Sequence, residues 1–390
     1  MPQDPHAQPL ERSPLGLTSD EFIASAKELA GVARPSALAA YRAFFRTGDV
    51  DAISLRNSES ATREGWTLPV TRSLREESPE GEVVKFVTGV RGDRFWQAGL
   101  EDLEIESVLI PMISSSGART YTLCVSSQVG CAMGCRFCET GQMGLIRSLT
   151  SAEIVAQWWN ATHKIGIRPK NIVFMGMGEP MDNLDHVIQA ISVLKDHNGP
   201  HMPVSQVTVS TVGRVDGIKR LGEKVREHGW HRLGLALSLN APNDDDRSSI
   251  MPVNKRWNLA AVQEALLEWP RRTGNKVCIE YVLIPGVNDT RRHAEQIAEF
   301  MRPFGLLQGG RIAGKALMAI LNLIPYNPRR HSPWPAPSEE SVDQFLAWLI
   351  DLGVFAKRRR TKGREMMGAC GQLGSEKIRG RKLVQATVSG

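Results

Sequence analysis

Cys131, Cys135 and Cys138 fall at a C-x3-C-x2-C spacing within Cys-Ala-Met-Gly-Cys-Arg-Phe-Cys. Three soft thiolates delivered from one short loop suit zinc or an iron-sulfur cluster. A structural zinc site closes with four ligands in tetrahedral array, and an ordinary four-iron cluster also uses four cysteines. Three thiolates therefore leave one metal corner open, as a site does when it binds and activates a ligand. The competing reading is a zinc knuckle completed by Cys124, belonging to an RNA-binding protein without catalysis.

A second group lies downstream. In Met175-Gly176-Met177-Gly178-Glu179-Pro180 the glycines let the backbone approach a ligand closely, and the Glu179 carboxylate can engage a cation. Ser210, Ser238, Asn240 and Asn322 fall on or at the ends of apolar β-branched runs, where polar side chains either bind a ribose and a carboxylate or hydrogen-bond a loop. Cys278, inside an apolar run, reads as a core residue. His163, His186, His197 and His228 show no paired ligand spacing.

Elements must carry these residues to one place. Strands are expected at 121–125, 171–175, 206–211, 233–239, 277–284 and 317–324, with helices at 151–163, 184–197, 214–224, 258–268, 290–301 and 338–352. Six strand-helix units of this kind argue for an α/β fold with a parallel sheet curled into a full or partial barrel. Chemistry in such barrels gathers at the C-terminal ends of the strands, where the motifs above fall. Residues 1–90 read as a small helical module, with one helix capped by Ser19 or Asp20 and running through Phe22, Ala26 and Leu29, and another around Ala37 to Phe45. Two leading strands, Glu82 to Val90 and Glu104 to Ile110, follow. The expected domains are 1–90, 91–355 and a basic segment 356–390.

With 42% hydrophobic and 23% charged residues in 390, the chain has the composition of a soluble globular enzyme. No apolar run is long enough for a membrane span, and the first residues carry no secretory signal, so the expected location is the cytoplasm. Six cysteines, three of them within eight residues, fit a reducing compartment better than a disulfide framework. The net charge of +6 is local: residues 355–390 hold ten Lys or Arg and two acids, leaving 38 basic against 40 acidic residues elsewhere. That excess is either a footprint for phosphate, including Arg358, Arg359, Arg360 and Lys362, or a solvated tail.

The cysteine loop, with Phe137 before its last cysteine, resembles that of the radical S-adenosylmethionine (SAM) enzymes, and Gly178-Glu179-Pro180 resembles the element with which they hold the ammonium of SAM. Cys124-Val-Ser-Ser-Gln-Val-Gly-Cys131, Thr140-Gly141, Ile250-Met-Pro-Val-Asn254 and Ala369-Cys-Gly-Gln-Leu373 extend the likeness over roughly 104–375 to the radical adenine methyltransferases of 23S ribosomal RNA. The resemblance implies a partial (β/α)6 radical SAM barrel. It further implies a 4Fe-4S cluster on Cys131, Cys135 and Cys138, and SAM, two per turnover, held by Phe137, Gly178, Glu179, Ser210, Ser238, Asn240 and Asn322. Implied partners are 23S rRNA before ribosome assembly, transfer RNA, and an electron donor such as flavodoxin or ferredoxin; the expected state is a monomer.

The chemistry implied is methylation at carbon 2 of an adenosine, or at carbon 8 in a sister group. Carbon 2 of adenine is a poor nucleophile, so direct polar methyl transfer is not available and a radical route is required. In the family's scheme Cys370 takes a methyl from one SAM, and a 5'-deoxyadenosyl radical from a second abstracts hydrogen from it. The thiomethylene radical adds to the base, Cys124 resolves the adduct by a disulfide, and Glu106 accepts the ring proton. This sequence departs from the pattern in three places. Asn240 stands where many members have histidine, the first ninety residues lack the usual N-terminal pattern, and 305–316 looks like an insertion.

Overall fold

The computed structural model describes residues 10, 12–50, 66–91, 102–114, 116–271, 275–308, 311–312 and 317–374. Two compact units divide the chain, one drawn from Met1–Val129, Arg147–Met177 and Asn183–Val207, the other from Gly130–Ile146, Gly178–Asp182 and Thr208–Gly390.

In the first unit, α1 (Ser19–Ala30) and α2 (Arg34–Thr47) form the expected helical pair. The cap is Thr18, one residue earlier than expected, because Glu21 reaches back to accept from the Thr18 N–H at 2.7 Å. Phe44 of α2 stacks on Trp159 at 5.5 Å and its carbonyl accepts from the Trp159 indole N–H, which fastens the pair to α3 (Ser151–His163).

Strands β1 (Val70–Ser78), β2 (Gly81–Arg91), β3 (Asp102–Ile113) and β4 (Arg119–Cys124) run antiparallel in that order. The short β5 (Gln128–Cys131) and β6 (Gly144–Ser148) lead into and out of the cysteine loop. β7 (Asn171–Phe174) lies parallel to β4, and α4 (Leu184–Lys195) follows. β1 was not foreseen: its sequence, Val-Thr-Arg-Ser-Leu-Arg-Glu-Glu-Ser, has no apolar alternation because it is a largely exposed edge strand.

Register gives this sheet a chemical face. Cys124 sits opposite Val108, and so does Lys85 from the other side, while Glu106 is two residues from Val108 on the same strand. Successive side chains alternate faces, so Lys85, Glu106 and Cys124 share one.

The second unit carries parallel strands β8 (Val207–Thr211), β9 (Gly234–Ser238) and β10 (Val277–Leu283). Helices α5 (Val215–Val225), α6 (Asp244–Ile250), α7 (Leu259–Glu268) and α8 (Arg291–Met301) connect and cover them. The supposed insertion forms a small hairpin where it is described, with β11 (Leu307–Gln308) antiparallel to β12 (Arg311–Ile312). β13 (Ala319–Pro325), α9 (Glu339–Asp351) and β14 (Ala356–Arg358) complete the parallel run.

Leu235, Leu237, Ile279, Tyr281, Leu321 and Leu323 are fully buried and, by register, share one face of these strands. Against that background the polar positions stand out. Glu280 is registered with Ser238 on one side and Asn322 on the other, and Cys278 lies two residues before it, level with Ala236 and through it with Ser210. Ser210, Ser238, Cys278, Glu280 and Asn322 thus occupy one face. No helix among the described residues is long and apolar enough to cross a membrane.

Candidate active site

The cysteine loop is built into the second unit by packing and by hydrogen bonds to backbone. Cys135 and Phe137 sit in an apolar cluster with Ala241, Ile250, Met251, Val282, Ile284, Ile324 and Tyr326, and Cys138 packs against it. The Arg136 N–H donates to the Ile250 carbonyl at 2.9 Å, which explains why Ile250-Met-Pro-Val-Asn254 belongs to the same motif set. At Gly141 any Cβ would stand 2.9 Å from both the nitrogen and the carbonyl oxygen of Cys135, so only glycine lets the loop close here.

All three thiols are pushed up, first by burial and then by one another: Cys135 raises Cys131, and Cys138 raises Cys135. Bare, this trio resists ionisation; positive iron would stabilise it as thiolates. Backbone N–H groups of Thr140 and Gly141 already face the Cys138 sulfur, as donors do around cluster thiolates. Among the described residues no three His, Cys, Asp or Glu side chains converge on a single metal ion. Cysteines of a four-iron cluster each bind a different iron and so stand apart, and the donor set fits that group.

Arg247 was missed by the sequence reading, hidden in the acidic run Asp244-Asp245-Asp246. It is fully buried, and its guanidinium donates to the carbonyls of Leu239, Val212 and Ser238 and to Asn254 Oδ1 at 2.6–3.2 Å. It therefore ties the ends of β8 and β9 to the segment packed on the cysteine loop. Burial lowers its pKa to about 10, and the neighbouring Cys135 works against that shift. Arg247→Met should leave these acceptors unpaired and cost about 3–5 kcal/mol of stability. Denaturant unfolding of wild type and variant measures the loss; a change under about 1 kcal/mol would refute the latch.

Glu179 lies 2% exposed. Its oxygens accept from the N–H groups of Val212 at 2.9 Å and Met181 at 3.2 Å. Desolvation raises its pKa to about 7 against the opposing pull of those bonds and of Arg214. Gly178, at φ 102°, takes the left-handed turn that aims it. A buried carboxylate with this cradle is an acceptor for an ammonium group.

Ser210 and Ser238 lie on the polar face, while Asn240 does not offer its side chain: at φ 58°, its Oδ1 accepts from the Val282 N–H at 3.0 Å and its amide points to the Met251 sulfur. Asn322 donates to Cys278 Sγ and to Glu280 Oε1, both at 2.9 Å. Cys278 is accordingly a member of a polar cluster rather than inert core. Glu280 had no motif to mark it; an acid inside an apolar strand was the available signal.

The segment carrying Cys370 reaches the cysteine loop. The Glu139 N–H donates to the Gly371 carbonyl at 2.7 Å, and the Thr140 hydroxyl donates to the Leu373 carbonyl at 2.5 Å. Cys370 is solvent-exposed yet set among dense protein, and desolvation pushes its thiol up to about 11. In the first unit, Glu106 forms a buried ion pair with Lys85 at 2.9 Å, a partner no motif announced. None of the six cysteines is joined in a disulfide, so the expected disulfide is not a feature of this structure.

The phosphate reading of the basic segment needs correction for two residues. Arg358 is paired with Glu339 and Asp343 of α9, and Arg359 with Glu280. Alternation along the chain sends the two to opposite sides. Lys377, Arg379, Arg381 and Lys382 lie outside the described residues.

Residues 125–301 match the Radical SAM superfamily. A crystal structure of a radical SAM methyltransferase from Sphaerobacter thermophilus is 34% identical with a TM-score of 0.74, over 93% of this chain and 98% of that one. The fold and site are thus those of a radical SAM enzyme. A "Probable dual-specificity RNA methyltransferase RlmN 1" of Protochlamydia amoebophila is 35% identical over 94% of this chain and 95% of its own length. The "Dual-specificity RNA methyltransferase RlmN" of Campylobacter fetus is 42% identical over 69% of this chain and 74% of its own length. The chain belongs to this RlmN family of radical SAM RNA methyltransferases. The first of these alignments also takes in N-terminal sequence that the motifs alone left outside the likeness.

Proposed function

We propose that the protein methylates carbon 2 of an adenosine in 23S rRNA and in transfer RNA, using Cys370 as methyl carrier and two SAM molecules per turnover. The observation that carries this reading is the docking of Gly371 and Leu373 on Glu139 and Thr140, directly after the last cluster cysteine. A thiol held there lies where a methyl group can be both received and activated.

Cys131, Cys135 and Cys138 would hold the 4Fe-4S cluster, which when bound supplies the electron for reductive cleavage of SAM. Glu179, backed by Gly178, takes the ammonium of SAM. Ser210, Ser238 and Asn322 present hydroxyl and amide groups for its ribose and carboxylate, and Phe137 supplies apolar wall, while Asn240 shapes the turn after β9 through its bond to Val282. Cys370 attacks the methyl carbon of one SAM and then carries the methyl-derived carbon to the base. Cys124 resolves the protein-RNA adduct. Glu106, paired with Lys85, accepts the ring proton. The electron is expected from a flavodoxin or ferredoxin, and the working form is a cytoplasmic monomer. Mass spectrometry of rRNA and tRNA from cells with and without the gene tests the reading. Loss of 2-methyladenosine supports it, and loss of the 8-methyl isomer alone reassigns the carbon.

The ammonium role sets a pH dependence. With its pKa at about 7, unliganded Glu179 loses its charge as pH falls through neutrality. Below that point SAM affinity should drop, approaching about tenfold per pH unit, while above it affinity levels off. Calorimetric titration of SAM between pH 6 and 8 reads this directly. Glu179→Gln should bind weakly and show no such slope; a slope retained in the variant would assign the titration elsewhere.

A further inference from the structure

Arg359, Glu280, Cys278 and Asn322 form a polar cluster to which the roles above assign only Asn322. Glu280, 4% exposed in an otherwise apolar strand, accepts from Cys278 Sγ at 3.2 Å and from the Asn322 amide at 2.9 Å, and pairs with the Arg359 guanidinium at 3.4 Å. The Arg359 N–H donates to the Leu323 carbonyl of β13 at 2.8 Å. Just past that strand, Asn327 donates to the Cys370 carbonyl at 3.4 Å and accepts from Arg364 at 3.1 Å. One strand and the turn after it therefore hold both the Arg359 backbone and the segment bearing the thiol, while Glu280 of the neighbouring strand holds the guanidinium.

We propose that Arg359, anchored on Glu280, is a positioning residue that holds the Cys370 sulfur for its reaction with the methyl group of SAM. The proposal rests on the reading of Cys370 as methyl carrier. In that step the Cys370 thiol gives its proton to solvent, and a sulfur lone pair forms the new S–CH3 bond. The bond between methyl carbon and sulfonium breaks, and its electron pair stays on the departing sulfur, leaving S-adenosylhomocysteine. A carboxylate alone near this sulfur would hinder the thiolate. The guanidinium offsets Glu280, and its positive charge favours the thiolate of Cys370. Glu280 is then an anchor for the cation, with Asn322 and Cys278 satisfying its remaining lone pairs.

The test uses full-length, cluster-loaded wild type, Arg359→Gln and Arg359→Lys, incubated with SAM bearing a deuterated methyl group. Peptide mass spectrometry follows label at Cys370, and iron content and 5'-deoxyadenosine formation under dithionite are measured alongside. Arg359→Gln should label Cys370 at least about tenfold more slowly, and Arg359→Lys should recover much of that rate. Iron and 5'-deoxyadenosine should stay near wild type in both. Labelling of Arg359→Gln at the wild-type rate would overturn the proposal. So would loss of iron and SAM cleavage in both variants, which would mark a merely structural role. A wild type that never labels Cys370 would instead overturn the carrier reading, and this one with it.

Discussion

Replacing Cys131, Cys135 or Cys138 singly with alanine should abolish both bound iron and RNA methylation. Three thiolates on three irons would leave no redundancy, and in the proposed reading the fourth iron is kept for SAM rather than for a substitute ligand. The surroundings sharpen the expectation. The thiols are buried, mutually repelling as anions, and packed against Phe137, Ile250 and Met251, so water has little room to replace a lost sulfur. The fold itself should survive, because alanine removes a single sulfur from this apolar cluster; a cost of about 1–2 kcal/mol is the scale. Anaerobic reconstitution with iron and sulfide, followed by iron analysis and the visible spectrum, gives the answer. A folded variant that keeps its full iron and turns over would refute the ligand assignment. One tightly held zinc in the wild type would revive the knuckle reading.

Sequence periodicity placed the strand-helix units because each strand is covered and each helix is amphipathic, so burial writes itself into the pattern. It failed at β1, whose exposed edge demands no apolar alternation. The candidate site was legible where the proposed chemistry restricts residue type, as in the three cysteines, Gly178-Glu179 and Cys370. It was illegible where a residue works by register or reach. Lys85 meets Glu106 because β2 and β3 pair as they do. Glu280 meets Arg359 across 79 positions of sequence, and nothing local to either announces the other. Arg247 looked like one charge among Asp244, Asp245 and Asp246, yet it is wholly buried and ties strand ends together. Charge counting was the least reliable guide. Arg358 and Arg359 contributed to the basic excess, but each is already paired within the protein.

In the proposed cycle Cys124 and Cys370 act at opposite moments, so their loss should give opposite products. Cys370→Ala removes the carrier: no methyl group leaves SAM for the protein, no carbon reaches RNA, and no adduct forms. Cys124→Ala keeps the carrier, which the bonds from Glu139 and Thr140 still hold at the cysteine loop, but removes the thiol that frees it. The protein should therefore accumulate joined to RNA through Cys370, with the methyl-derived carbon as the link. Cys124 and Glu106 share a sheet face with Lys85, so the resolving thiol and the proton acceptor are placed by one register. Glu106→Gln should consequently trap the same adduct, since the base cannot shed its proton, while leaving Cys370 methylated in the absence of RNA. The double change Cys124→Ala, Cys370→Ala should behave like Cys370→Ala alone. Denaturing gels of protein recovered from cells, with and without ribonuclease, distinguish these cases, because only an adduct shifts on digestion. If Cys124→Ala shows no adduct, or Cys370→Ala still methylates RNA, carbon transfer through a methylated cysteine is excluded for this protein.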